Sequence, residues 1–195
     1  MSRPEKNIKY GIIALLIILG VSTRFLFLVP GFESIANFTA IGALCLFSGA
    51  YLSRKQAILL VLGVMWATDL FLNNVVYAAY YESFQWHGNI WVYLALAYVV
   101  ILSRWFLKFV TAPRIMMAAF LGALVFFLLT NFESWIRLPE YTKDLDGLLQ
   151  AYSGALPFLK NTLISNMVYS FVLFGVYEMA LRGTRVLIPS LVRSR

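Results

Sequence analysis

Few side chains in this sequence could do chemistry, and those that could sit inside or beside apolar runs. Arg24 and Asp69 each interrupt a hydrophobic stretch, and Asn166 does the same near the C-terminal end. Asn37 and Thr39 open one run, Asn131 closes another, and Asn161 opens the last. Trp135 and Tyr152 lie in the connector between the last two runs. Amides, hydroxyls and aromatic rings bind a neutral or mixed-polarity small molecule through hydrogen bonds and stacking. The candidate binding set is therefore Arg24, Asn37, Thr39, Asp69, Asn131, Trp135, Tyr152, Asn161 and Asn166. A second reading of the same residues is an ion pair plus amide hydrogen bonds that fix helix packing.

Catalytic chemistry has less to build on. The one histidine, His87, lies in a polar, aromatic stretch, so neither a histidine metal cluster nor a Ser-His-Asp triad is expected. The lone Cys45, deep in an apolar run, is expected to be a small core hydrophobe. No Gly-rich phosphate loop is present, so ATP-driven work requires a partner. No enzyme activity, metal or cofactor is expected.

These residues need elements to hold them. The chain is 61% hydrophobic and 13% charged, with a mean hydropathy of +0.78. Soluble domains average about 45–50% apolar and about 25% charged, so these values point to an integral membrane protein. The runs are continuous rather than alternating, so the expected class is all-α and polytopic. About six transmembrane helices are expected, near 8–29, 35–52, 56–72, 88–106, 114–130 and 157–181, in one domain spanning 1–195. The first run reads as an anchored helix rather than a cleaved signal, being longer than a signal core of about 7–15 residues. The second run is rich in Gly and Ala and is expected to be central, because small residues let backbones approach in lipid. The outer connector, 131–156, carries Leu145, Leu148, Leu149, Tyr152 and Leu156 at helical spacing, which predicts a short amphipathic helix. Glu178 and Arg182 are spaced as a helix-surface pair.

The formal net charge of +7 suggests nucleic acid until the charges are located. Arg3, Lys6, Lys9, Arg54, Lys55, Arg104, Lys108, Arg114, Arg182, Arg185, Arg193 and Arg195 fall in alternate loops and at the termini. The positive-inside rule then places both termini in the cytoplasm and removes the case for nucleic acid. At about 1.5 Å per residue, Asp69 lies about 21 Å from the cytoplasmic edge, and Arg24 at a similar depth. Both should turn inward and meet partners.

The stretch FFLLTNFESW (126–135), with Tyr141, Gly147-Leu148, Ala151-Tyr152 and LPFLKNTL (156–163), forms one motif. Asn37-Phe38-Thr39, Ile41-Gly42-Ala43-Leu44 and Leu46-Phe47-x-Gly49-Ala50 form a second. Together with Asp69 they resemble a bacterial family of six-helix inner-membrane transport proteins of unknown function. That family is in turn similar, more distantly, to the S-components of energy-coupling-factor vitamin transporters. The resemblance implies an S-component-like bundle in the bacterial inner membrane. It also implies capture of a small, vitamin-like micronutrient from the outer face, with an ATP-driven coupling module as partner; the connector is then expected to close over the pocket as a lid. The chain departs from the family pattern at Ala40, where proline is usual, and at Ser165-Asn166, where Gly-Asp is usual. A non-transporting membrane scaffold that binds another membrane protein is the alternative. An enzyme acting on a lipid-linked substrate is the third reading.

Overall fold

The computed structural model describes residues 3–32 and 37–187. The expected start of the second run at Ile35 and Ala36, and the tail with Arg193 and Arg195, lie outside them. So does the Arg182 side chain expected to meet Glu178.

Apolar, continuous runs without interior proline become helices, and among the described residues seven are α-helical. They are α1 (Arg3–Arg24), α2 (Ile41–Tyr51), α3 (Arg54–Phe71), α4 (Ile90–Phe106), α5 (Ala112–Arg137), α6 (Leu145–Gly154) and α7 (Leu156–Leu187). Six of them fall on the six expected runs and the seventh, α6, is the short helix expected in the connector. Four segments are long and apolar enough to cross a membrane: Tyr10–Leu28, Arg54–Val76, Ala112–Arg137 and Leu156–Leu181. Helices α2 and α4 are apolar but shorter.

Helix α2 is the axis of the bundle. It packs against α1, α3, α4, α5 and α7, which contact one another in the ring order α1–α3–α4–α5–α7. Its residues Ala43 to Phe47 are fully buried. Glycine explains the close approach: a Cβ on Gly49 would lie 1.9 Å from Ser103 Oγ and 2.7 Å from the Val100 carbonyl oxygen of α4. The small-residue reading of this helix therefore holds. The outside is apolar, with Leu59, Trp105, Phe171 and Met179 all exposed. An apolar surface of this kind on an isolated chain marks contact with lipid or another apolar partner.

Two helix ends differ from expectation. Helix α2 starts at Ile41, because Asn37 takes the left-handed conformation (φ 67°) and cannot continue a right-handed turn. Ala40, the residue before it, has no capping side chain, and Thr23 of α1 acts instead. Its Oγ1 accepts from the Ala40 N–H at 2.9 Å while its hydroxyl donates to the Leu19 carbonyl at 2.6 Å. Helix α5 runs through Asn131, Glu133 and Trp135 to Arg137 instead of ending at 130. Thr130, Asn131 and Ser134 donate back to carbonyls four residues earlier, and Arg137 pairs with Glu133 at 2.5 Å. These polar groups satisfy the helix they sit on, so a wet composition does not break it.

Candidate functional site

At eleven residues, α2 is about 16 Å long. Its neighbours are longer, and the space beyond its first turn is not filled. The result is a cavity of about 330 Å³ at the end of the bundle where α1 and α3 finish and α2, α4 and α7 begin. Asn37, Thr39, Ile41 and Gly42 line it from the α2 side. Val92, Leu96 and Val99 come from α4, Gly122 and Phe126 from α5, and Thr162 and Asn166 from α7. Arg24, Phe27, Met65, Leu72 and Tyr77 complete the wall.

Arg24 and Asp69 meet as their depth required. Arg24 Nη2 donates to Asp69 Oδ1 at 2.6 Å, and Arg24 Nη1 points at the Met65 sulfur. The Tyr93 hydroxyl donates to Asp69 Oδ2 at 2.6 Å and accepts from the Gly88 N–H at 2.9 Å. Gly88 has a steric reason to be glycine, since a Cβ there would lie 2.1 Å from Asp69 Oδ2. Asp69 is buried behind the arginine, so Arg24 faces the cavity and Asp69 holds it in place. A charge pair away from water persists only when both members are hydrogen-bonded, and here both are.

Asn166 stands deepest among the amides. Its Nδ2 donates to the Ala119 carbonyl at 3.3 Å. Its Oδ1 lies over Gly42, where a Cβ would approach to 1.7 Å. The helix-to-helix contact of α2 and α7 is thus built around a polar side chain on the cavity wall. At the rim, Phe27 and Tyr77 stack with ring centroids 6.4 Å apart and planes 10° from parallel. Burial pushes the Tyr77 hydroxyl pKa up from its ordinary value. A π-helical turn, Leu72–Val76, carries the chain from α3 to this rim. Such turns recur at functional sites. Asn74 fixes it to the following loop through hydrogen bonds with both backbone groups of Gln85, each 2.8 Å.

Of the nine candidate residues, Arg24, Asn37, Thr39 and Asn166 line the cavity, and Asp69 supports Arg24 from behind. Asn131, Trp135, Tyr152 and Asn161 do not line it. Asn131 Nδ2 donates to the Phe127 carbonyl, Trp135 Nε1 to the Thr142 carbonyl, and the Tyr152 hydroxyl to the Leu128 carbonyl. These bonds build α5 and its junction with α6. No residue of the connector, 131–156, lines the cavity. Gly42, Met65, Tyr93 and Phe27 were missed. Gly42 carries no polar signal at all, and the others read as ordinary core or interfacial residues.

Glu133 is a second buried acid. It accepts from Asn89 Nδ2 at 2.8 Å and from Arg137, tying the start of α4 to α5. No group of three His, Cys, Asp or Glu side chains able to hold a metal occurs among the described residues.

A family model described as a family of unknown function, DUF6580, matches residues 4–190. No curated protein and no solved structure gives a match.

Proposed function

The chain belongs to this family of unknown function, and from its cavity we propose that it is a membrane protein that captures a small organic molecule as a transport subunit. The observation that carries the reading is the 330 Å³ cavity, whose mostly apolar wall carries the Asn37 and Asn166 amides, the Thr39 and Thr162 hydroxyls and the Phe27, Tyr77 and Phe126 rings. Binding clefts for small molecules typically start at about 300 Å³ and pair apolar walls with a few fixed polar groups.

Orientation supports the same reading. Arg54, Lys55, Arg104, Lys108 and Arg114 lie at the ends of α3, α4 and α5 remote from the cavity. Under the positive-inside rule the cavity end faces away from the cytoplasm, in keeping with loading from the outer face of a bacterial inner membrane. The proposed occupant is a micronutrient-sized molecule, as in the S-component likeness, with α2 and α4 completing six crossings. A chain without a phosphate-binding loop needs a partner for ATP-driven release, so a coupling module belongs to this proposal.

Native mass spectrometry of the detergent-purified protein tests it. The wild type should carry a small organic mass that Val92→Phe, which fills the cavity, does not. A wild-type spectrum with no small molecule but a stoichiometric membrane protein would establish the scaffold reading instead.

A further inference from the structure

We infer that the cavity takes an uncharged, ring-bearing ligand with hydrogen-bonding groups, and excludes the anion or cation of the same shape. The inference rests on the reading that the cavity binds a small molecule, and adds its class.

Among the described residues, Arg24 is the one permanently charged side chain lining the cavity. A bare guanidinium there would call for a carboxylate or phosphate on the ligand. Arg24 is not bare, because Asp69 neutralises it at 2.6 Å. Asp69 in turn has its second oxygen occupied by Tyr93. Side-chain exposures of 14% and 9% keep water from screening or replacing the pair. An anionic ligand would have to displace a carboxylate that is covalently part of the bundle, and so present at high effective concentration. A cationic ligand meets the guanidinium first, with Asp69 behind it.

The other polar groups suit a neutral molecule. The Asn37 carboxamide and the Thr39 hydroxyl make no side-chain hydrogen bond among the described residues. Asn166, which also lines the cavity, spends one N–H on the Ala119 carbonyl and packs its Oδ1 over Gly42. Amides and hydroxyls offer donors and acceptors without charge. The parallel Phe27 and Tyr77 rings, with Phe126 from α5, give a flat ligand faces to stack on.

The test uses one ring in three charge states. Benzamide, benzoate and benzylammonium are titrated against the full chain in detergent by equilibrium dialysis, on the wild type, Asp69→Asn and Val92→Phe. Benzamide should bind the wild type about tenfold tighter than either ion, with Val92→Phe abolishing that binding. Asp69→Asn should release Arg24 and shift the preference toward the anion, raising benzoate affinity relative to benzamide by about tenfold. Benzoate or benzylammonium equalling benzamide on the wild type, with Val92→Phe removing it, overturns the neutral-ligand inference while keeping the cavity as a binding site. If Asp69→Asn does not fold, the wild-type order of the three probes decides. If none of the three binds, the molecule that co-purifies with the wild type decides: a neutral one supports the inference and an ionised one overturns it. No probe bound and no co-purified molecule overturns both readings.

Discussion

Asp69 accepts from Arg24 on one side and Tyr93 on the other, so truncating it strands two donors inside the bundle. Asp69→Ala should cost about 3–5 kcal/mol of stability, the usual loss when one member of a buried pair goes. Chemical unfolding in mixed micelles measures it. Arg24→Met combined with Asp69→Leu should cost less than either single change, because no orphan charge remains. A purely additive double variant would show that the pair is not coupled. Gly42 makes a separate prediction. A methyl group there would overlap the Asn166 carboxamide. Gly42→Ala should therefore cost about 1–3 kcal/mol by overpacking, and Asn166→Ala in the same chain should recover much of it. Thermal unfolding of the single and double variants checks the recovery.

At the scale of elements, α6 has a cap that responds to acid. Asp144 Oδ1 accepts from the Gly147 N–H at 2.8 Å and from the Thr142 hydroxyl at 2.7 Å. The Gly147 N–H first, and the Thr142 hydroxyl next, hold the Asp144 pKa below the usual carboxylate value. A carboxylate with a lowered folded pKa gives stability that is full above its unfolded value of about 3.9 and is lost as pH falls through the folded value. Protection of the first-turn amides of α6, measured as exchange relative to the intrinsic rate at each pH, should therefore fall below about pH 4. Asp144→Asn should flatten that pH dependence while keeping most of the cap. An unchanged acid profile in Asp144→Asn would remove the carboxylate from the account. The end of α5 is held differently: Lys143 Nζ donates to the Trp135, Leu138 and Tyr141 carbonyls at 2.6–2.8 Å. That one side chain satisfies carbonyls a helix end leaves open.

Across the whole molecule, a short buried helix inside a ring of longer ones creates both the packing and the hollow. The topology is open to a direct measurement. Cys45 is the only cysteine and is fully buried, so the wild type offers a silent background for thiol labelling. Gln150→Cys, on exposed α6, should react with a membrane-impermeant maleimide in intact cells, and Lys108→Cys should react only after lysis. The reverse pattern would turn the cavity toward the cytoplasm and end the outer-face proposal. Labelling at both sites in intact cells would mean that the chain is not fixed in one orientation.

The sequence by itself determined the elements and several of their roles. Runs of apolar residues place helices, because transfer free energies add along the chain and need no partner. The small residues of 41–50 announced a central helix, and the depth of Arg24 and Asp69 announced that they turn inward. Polar composition misled at Asn131, Glu133 and Trp135, since side chains that bond back to their own helix look the same in sequence as a loop. Tertiary structure alone decided which polar groups share a site. Arg24 and Asp69 are 45 positions apart, and Asn166 meets Ala119 across 47. Those meetings depend on the ring order of the helices and on α2 stopping short, both set by contacts between distant segments. The cavity is space left by that packing, and empty space has no residue of its own to be read.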